Sequence, residues 1–131
     1  MSEFEKLKEV IARLRGEGGC PWDREQTHRS LKPECIEEAA EVICGINILE
    51  ETGNADNLKE ELGDLLFSVV NVSRFLKVDP EEALRATTRK FMRRFAYIED
   101  RSLACGRHLT DMTLEEMDRL WEEAKQSEED K

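Results

Sequence analysis

Glu37-Glu38-Ala39-Ala40-Glu41, then nineteen residues, then Glu61-Leu62-Gly63-Asp64: this stretch decides how the chain folds and what it can hold. Each end carries two carboxylates three residues apart, within a sequence patterned as helix. Positions three apart share one face of a helix, about one turn from each other. Glu38 and Glu41 therefore project together from one helix, and Glu61 and Asp64 from the next. Antiparallel packing of the two helices brings four carboxylates into one small volume. Burying such charges unpaired costs several kcal/mol each, on the order of buried ions generally, so a cation belongs between them. Hard oxygen donors select Mg²⁺, with Mn²⁺ able to substitute.

Outward from the first pair, a helix is expected to begin between Ser30 and Pro33, proline being tolerated in a first turn, and to run to about Glu51. Ile36, Ala39, Ala40, Val42, Ile43, Ile46 and Leu49 form its apolar side and are expected to be buried. Gly45 lies on the carboxylate stripe. A glycine inside a helix costs roughly 1 kcal/mol relative to alanine; here it leaves room for a ligand or a partner helix. Residues 52–56 read as a turn, with Asp56 as the expected N-cap. The next helix runs to about Leu76 and is apolar nearly all round, from Leu58 to Phe75, which predicts burial on most sides. Its polar exceptions, Glu61, Asp64, Ser68 and Asn71, fall on one stripe. Polar groups on a buried helix need partners, and a metal with its ligand supplies them.

Upstream, Phe4, Leu7, Val10, Ile11 and Leu14 give a first amphipathic helix over 3–15. Gly19-Cys20-Pro21-Trp22-Asp23 reads as a loop. Its Trp22 either plugs the core, the commoner fate of a lone tryptophan, or lies against a ligand base. Downstream, Asp79-Pro80-Glu81-Glu82 carries an N-cap, a proline at N1 and a capping-box acid. The helix that follows bears Arg85, Arg89, Lys90, Arg93 and Arg94, with Lys90 and Arg94 on one face. Thr113-Leu114-Glu115-Glu116 opens a short terminal helix with Met117, Leu120 and Trp121 on its apolar side, and Ser127 to Lys131 is expected to fray. The expectation is an all-α, mostly antiparallel bundle of four to five helices, forming one domain over residues 1–131.

Composition narrows the function. The chain has 131 residues, 39% of them hydrophobic and 38% charged, enough for one core with solvated outer faces. The net charge of −10 argues against a nucleic-acid polymer or a membrane surface as partner. It leaves a phosphate ligand open, because a bound metal inverts the local charge. No apolar run is long enough to span a bilayer, the N-terminus lacks a basic-then-apolar leader, and a cytoplasmic setting is expected. There the four cysteines (Cys20, Cys35, Cys44, Cys105) are expected as reduced thiols, Cys35 and Cys44 as small core fillers. His28 and His108 sit in polar contexts and read as surface residues.

Four carboxylates around Mg²⁺ suit polyphosphate chemistry. Lys90 and Arg94 can hold outer phosphates. Glu37 lies about 100° around the helix from Glu38 and can accept a proton from a metal-activated water. The reaction class is hydrolysis of a phosphoanhydride by water, without a covalent intermediate. Two other classes stay in view. A di-iron or di-manganese carboxylate bundle typically adds a Glu-x-x-His pair, which the predicted helices lack. A non-enzymatic helical adaptor, its carboxylates merely solvated, predicts no metal effect and no hydrolysis.

The pairing of Glu37-Glu38-x-x-Glu41 with Glu61-x-x-Asp64 resembles the signature of the MazG nucleotide pyrophosphohydrolases, members of the all-α nucleoside triphosphate pyrophosphatase superfamily. Gly19-Cys-Pro-Trp-Asp23 with Glu25-Gln26-Thr27 is similar to that family's entry loop. Glu60-Glu-Leu-Gly-Asp-Leu-Leu-Phe67 with Val70-Asn71 is similar to its third helix, Thr88-Arg-Lys-Phe-Met-Arg-Arg-Phe95 to its basic segment, and Leu114-Glu-Glu-Met-Asp-Arg-Leu-Trp121 to its terminal helix. The resemblance implies Mg²⁺-dependent cleavage of nucleoside triphosphates between the α and β phosphates, giving a monophosphate and pyrophosphate, with a role in clearing aberrant nucleotides. It implies Glu38, Glu41, Glu61 and Asp64 as metal ligands, Glu37 assisting the water, Asn71, Lys90 and Arg94 contacting the nucleotide, and Trp121 near the base. It also implies a homodimer or a dimer of dimers. The Cys-Pro-Trp-Asp loop is similar to the N-terminal half of two-domain members, and the basic and terminal segments to their C-terminal half.

Overall fold

A computed structural model describes residues 1–129. It is all-α. The order is α1 (Glu3–Arg15), α2 (Pro21–Arg24), α3 (His28–Thr52), α4 (Asp56–Phe75), α5 (Pro80–Ala104), a 3₁₀ turn (Leu109–Asp111) and α6 (Leu114–Glu129). The helices fall into two compact units, Met1–Pro80 and Glu81–Lys131.

In the first unit α3 and α4 pack antiparallel. Gly45 of α3 meets Leu58 of α4 at one end, the Glu38 carboxylate approaches Glu61 and Asp64 in the middle, and Leu31 and Cys35 share a cavity with Val72 and Leu76 at the other. Gly45 sets the closeness of this pair. A Cβ there would lie 2.9 Å from the Leu58 Cα and 3.2 Å from Asn57 Oδ1. Of the two uses expected for Gly45, room for a ligand or for a partner helix, the helix takes the space. Ile11 of α1 and Val70 of α4 are fully enclosed, with Leu31 close behind.

Several local expectations shift. A capping box between Thr27 and Ser30 starts α3 at His28, so Pro33 sits inside the helix instead of opening it. The Cys-Pro-Trp-Asp segment is not an open loop: Pro21 at N1 starts the single turn α2. Trp22 projects outward from that turn and is 81% exposed, so it plugs no core. Asp56 is already helical; Asn54 Oδ1 instead accepts from the Asp56 amide at 2.8 Å. All four cysteines are free thiols, as expected, yet Cys44 is exposed and Cys35 only half-buried, so neither fills a core.

The largest departure concerns the apolar sides of α3 and α4. Ile36, Ile43 and Ile46 on α3, and Leu62, Leu66 and Val69 on α4, were expected inside; all are exposed. Each set recurs at three-, four- or seven-residue spacing, so each is a continuous stripe along its helix. The pair α3–α4 has one apolar side to give to α1, and nothing in the first unit covers this second side.

In the second unit, the α5 end is closed by Gly106 in the left-handed region (φ 68°) and by the Ser102 hydroxyl, which donates to the Arg107 carbonyl. Arg107 then pairs with Glu116 near the start of α6. Ile98, Ser102 and Ala124 are buried. Arg94 and Arg93 pair with Glu128, and the Tyr97 hydroxyl donates to Glu123 at 3.3 Å. The fraying expected from Ser127 is not seen over the described residues, where α6 stays helical to Glu129; residues 130–131 lie outside the described residues. Among the described residues no helix is long and apolar enough to cross a membrane.

Candidate functional site

The i, i+3 spacing on α4 and the mid-helix position of Glu38 on α3 put carboxylate oxygens of Glu38, Glu61 and Asp64 within 4.8 Å of one another. Glu38 and Glu61 are half-buried, Asp64 exposed. Each of Glu38 and Glu61 has one Oε2 atom shut off from solvent and without a hydrogen-bond partner among the described residues.

The electrostatics follow. The Glu38 carboxyl is held above its ordinary value first by desolvation, then by the charges of Glu41, Asp64, Glu34 and Glu37. Glu61 is pushed up to about 7, chiefly by a hydrogen bond to Glu41, then by desolvation and by the charges of Glu41, Asp64 and Glu60. Glu41 acts on Glu61 from beside the cluster, while its own oxygens stay outside the tight set. Glu37 is exposed on α3, on the neighbouring arc.

This donor set fits a hard divalent cation. Three carboxylates converge, two of them with a buried oxygen lacking any donor, and no histidine or cysteine belongs to the group. A cation held by these residues would offset the desolvation and the mutual repulsion that together raise the Glu38 and Glu61 carboxyls.

Asn71 continues the α4 stripe away from the carboxylates and is 2% exposed. Its Oδ1 accepts from Arg15 Nε at 2.7 Å, and its amide donates to Gln26 Oε1 at 3.2 Å. Arg15 also donates to Gln26 Oε1 at 2.6 Å and to the Asp23 carbonyl at 3.2 Å, and stacks over the Phe75 ring at 4.9 Å. Gln26 reaches Glu34 on α3 at 3.5 Å. One guanidinium therefore ties α1, the α2 turn and α4 together, and burial lowers its pKa against the opposing pull of Asp23 and Glu34. Sequence reading passed over Arg15. The signal was there: Arg15 stands four residues after the fully enclosed Ile11, so the buried stripe of α1 ends in a cation. Ser68, on the same stripe of α4, is buried with its hydroxyl unpartnered among the described residues.

Lys90, Arg94 and Trp121 belong to the second unit. Lys90 is exposed on α5. Arg94 is half-buried: Glu128 accepts from its Nε and NH2 at 3.2 and 3.1 Å, and its guanidinium lies 5.5 Å from the Trp121 ring centroid. Trp121 also packs against Phe91 at 5.4 Å. Arg94 and Trp121 are thus brought together on one face of α5 and α6.

Residues 26–98 match the model of the MazG nucleotide pyrophosphohydrolase domain. The chain belongs to the MazG family. The matched span includes every singled-out carboxylate together with Asn71, Lys90 and Arg94; Trp121 lies beyond it. The chain is 51% identical over 77 residues to the nucleoside triphosphate pyrophosphohydrolase/pyrophosphatase MazG of Thermotoga maritima, which covers 59% of this chain and 30% of that protein. It is 44% identical over 71 residues to the nucleoside triphosphate pyrophosphohydrolase of Escherichia coli K12, covering 53% of this chain and 26% of that protein. It is 55% identical over 78 residues to the uncharacterized protein YabN of Bacillus subtilis, covering 60% and 16%. The MazG-type chain described here thus spans under a third of the length of each of these relatives. Among solved structures, a mazG-related protein from Thermotoga maritima superposes with a TM-score of 0.63 at 26% identity, covering 93% of this chain and 98% of that one.

Proposed function

We propose that this MazG-family chain is a divalent-metal-dependent nucleoside triphosphate pyrophosphohydrolase, using Mg²⁺ and releasing a nucleoside monophosphate and pyrophosphate. The observation that carries the reading is the convergence of Glu38, Glu61 and Asp64, with two buried carboxylate oxygens left without donors. The names of the Thermotoga and Escherichia relatives support the same chemistry.

Glu38, Glu61 and Asp64 hold the metal, with Glu41, one turn along α3 from Glu38, as the fourth ligand. When bound, Mg²⁺ supplies charge to neutralise the phosphate chain and to favour deprotonation of water. Glu37, exposed beside the cluster, takes the proton of the attacking water. That water attacks the α phosphorus, the bond from it to the bridging oxygen breaks, and pyrophosphate departs with the electron pair. Asn71, Lys90 and Arg94 hold the nucleotide, and Trp121 lies near its base. The exposed stripes of α3 and α4 suit a second copy of the chain, giving a homodimer or a dimer of dimers. Four free thiols fit a cytoplasmic setting, and clearing aberrant nucleotides fits the family.

The test is a product assay. The purified chain is incubated with each common ribo- and deoxynucleoside triphosphate, with Mg²⁺ or with EDTA, and the products are separated. Monophosphate plus pyrophosphate, formed only with metal and lost in Glu38→Gln, is expected. Diphosphate plus phosphate would move the cleavage point, and no product at all would bring forward a non-enzymatic adaptor.

A further inference from the structure

Away from the carboxylates, at the other end of the first unit, the C-terminal ends of α1 and α4 frame a cavity of about 590 Å³. That lies within the roughly 300–1,000 Å³ of small-molecule sites. Lys8, Arg15, Arg74 and Lys77 line it, and Asp79 is the one acidic side chain among its lining residues. The two helix ends contribute a partial negative charge of about 0.5 each, too little to cancel the excess of cations. In a chain of net charge −10 this is a concave region of opposite sign, and concave clefts of one sign focus the field on a ligand.

The four cations differ in what they are free to do. Arg15 spends its Nε, NH1 and NH2 donors on Asn71, Asp23 and Gln26, so it contributes charge more than contact. Lys8 lies 5.8 Å from the Phe4 ring centroid. Arg74 and Lys77 are exposed, and among the described residues they stand in none of the ion pairs within the first unit. A guanidinium offers phosphate a two-pronged set of donors and an ammonium a compact point charge.

We propose that the cavity between the ends of α1 and α4 is a binding site for a di- or triphosphate group, contacted by Arg74 and Lys77. The site stands independently of the hydrolytic reading. Its chemistry suits free pyrophosphate and the tail of a nucleotide equally, and the experiment separates the two.

Lys77 supplies a discriminating variant. It is the single non-glycine residue with positive φ (62°) among the described residues, at the position after α4 where glycine is usual. Lys77→Gly removes the charge while easing the backbone, so it cannot weaken binding by unfolding the turn.

The full chain is kept in EDTA, where the carboxylate cluster repels anions and no turnover occurs, and is titrated calorimetrically with pyrophosphate, with a nucleoside triphosphate, and with the nucleoside alone. Pyrophosphate and triphosphate are expected to bind and the nucleoside not to. Lys77→Gly and Arg74→Ala each weaken binding about tenfold, as loss of one charge-assisted contact should. The melting temperature of Lys77→Gly holds or rises, and Lys59→Ala, outside the cavity, changes nothing. Tighter binding of the triphosphate identifies the nucleotide tail as the occupant, and tighter binding of pyrophosphate the free ion. Absence of phosphate binding, indifference to both cavity variants, or an equal loss in Lys59→Ala would overturn the assignment.

Discussion

Arg15 and Asn71, fifty-six residues apart in sequence, are joined by a 2.7 Å hydrogen bond from the arginine Nε to the asparagine Oδ1. The same guanidinium holds Gln26 and the Asp23 carbonyl, so removing it leaves a buried amide and a backbone carbonyl with lost donors at once. Hydrogen bonds to a charged group are worth about 1.5–3 kcal/mol each, and orphaned buried groups cost a similar amount. Arg15→Ala should therefore lose about 3 kcal/mol of stability in urea unfolding. Arg15→Lys should recover only part, since an ammonium cannot reproduce the planar fork. An unchanged urea midpoint in Arg15→Ala would show that the network is idle.

The carboxylate cluster predicts a metal response that needs no turnover. Glu38, Glu61 and Asp64 repel one another in the bare chain, and a cation binding only the folded form stabilises it by mass action, about 2.7 kcal/mol at a hundredfold excess over Kd. Mg²⁺ should raise the melting temperature saturably, and EDTA should reverse it. Glu38→Gln should melt higher than wild type in EDTA, because repulsion is relieved, and should gain less from Mg²⁺. Equal melting curves with and without Mg²⁺ would count against a metal site.

The three-residue spacing put Glu38 with Glu41, and Glu61 with Asp64, on one face of each helix; given antiparallel packing of α3 on α4, Glu38, Glu61 and Asp64 meet, while Glu41, expected as the fourth, stays outside that set. The capping signals at Asp79 and Thr113 likewise marked helix starts correctly. What periodicity could not say is which of two apolar faces would be covered. Ile36 and Leu66 carry the same signal as Ile11 and Val70, yet the first two are exposed and the last two enclosed. Pattern reports that a face wants burial, not what will bury it. Arg15 escaped for a related reason: a cation at the end of an apolar stripe reads as a solvated helix terminus until its partners, far away in sequence, are in place.

Those exposed faces set the third prediction. Ile43 is 59% and Leu66 58% exposed, large apolar groups on adjacent helices with neighbours of the same kind along each. Contiguous exposed patches of this sort mark association surfaces. Light scattering behind size exclusion should find the wild-type chain as a dimer or larger. Ile43→Glu and Leu66→Glu each place a charge in the stripe and should shift it to monomer while circular dichroism keeps its helical signal. A wild-type chain that elutes as a monomer at micromolar concentration would remove the homodimer from the proposal.

The fourth prediction concerns acid and the pairing of α5 with α6. Glu128 accepts from Arg94 Nε and NH2 and lies 3.4 Å from Arg93. The Arg94 hydrogen bond, with the Arg94 and Arg93 charges, holds its carboxyl below the ordinary value of 4.5 despite some desolvation. The unfolded chain binds that proton more readily than the folded one, so the pair's stabilisation is complete above the unfolded value and fades as pH falls through the folded one. At neutral pH Glu128→Gln should melt below wild type, and the gap should narrow in high salt, which screens surface charge. Below the folded pKa both proteins carry a neutral side chain at this position and the gap should close. A gap that stays unchanged throughout an acid titration would mean that Glu128 stabilises α6 through packing, and that Arg94 is held over Trp121 by the ring alone.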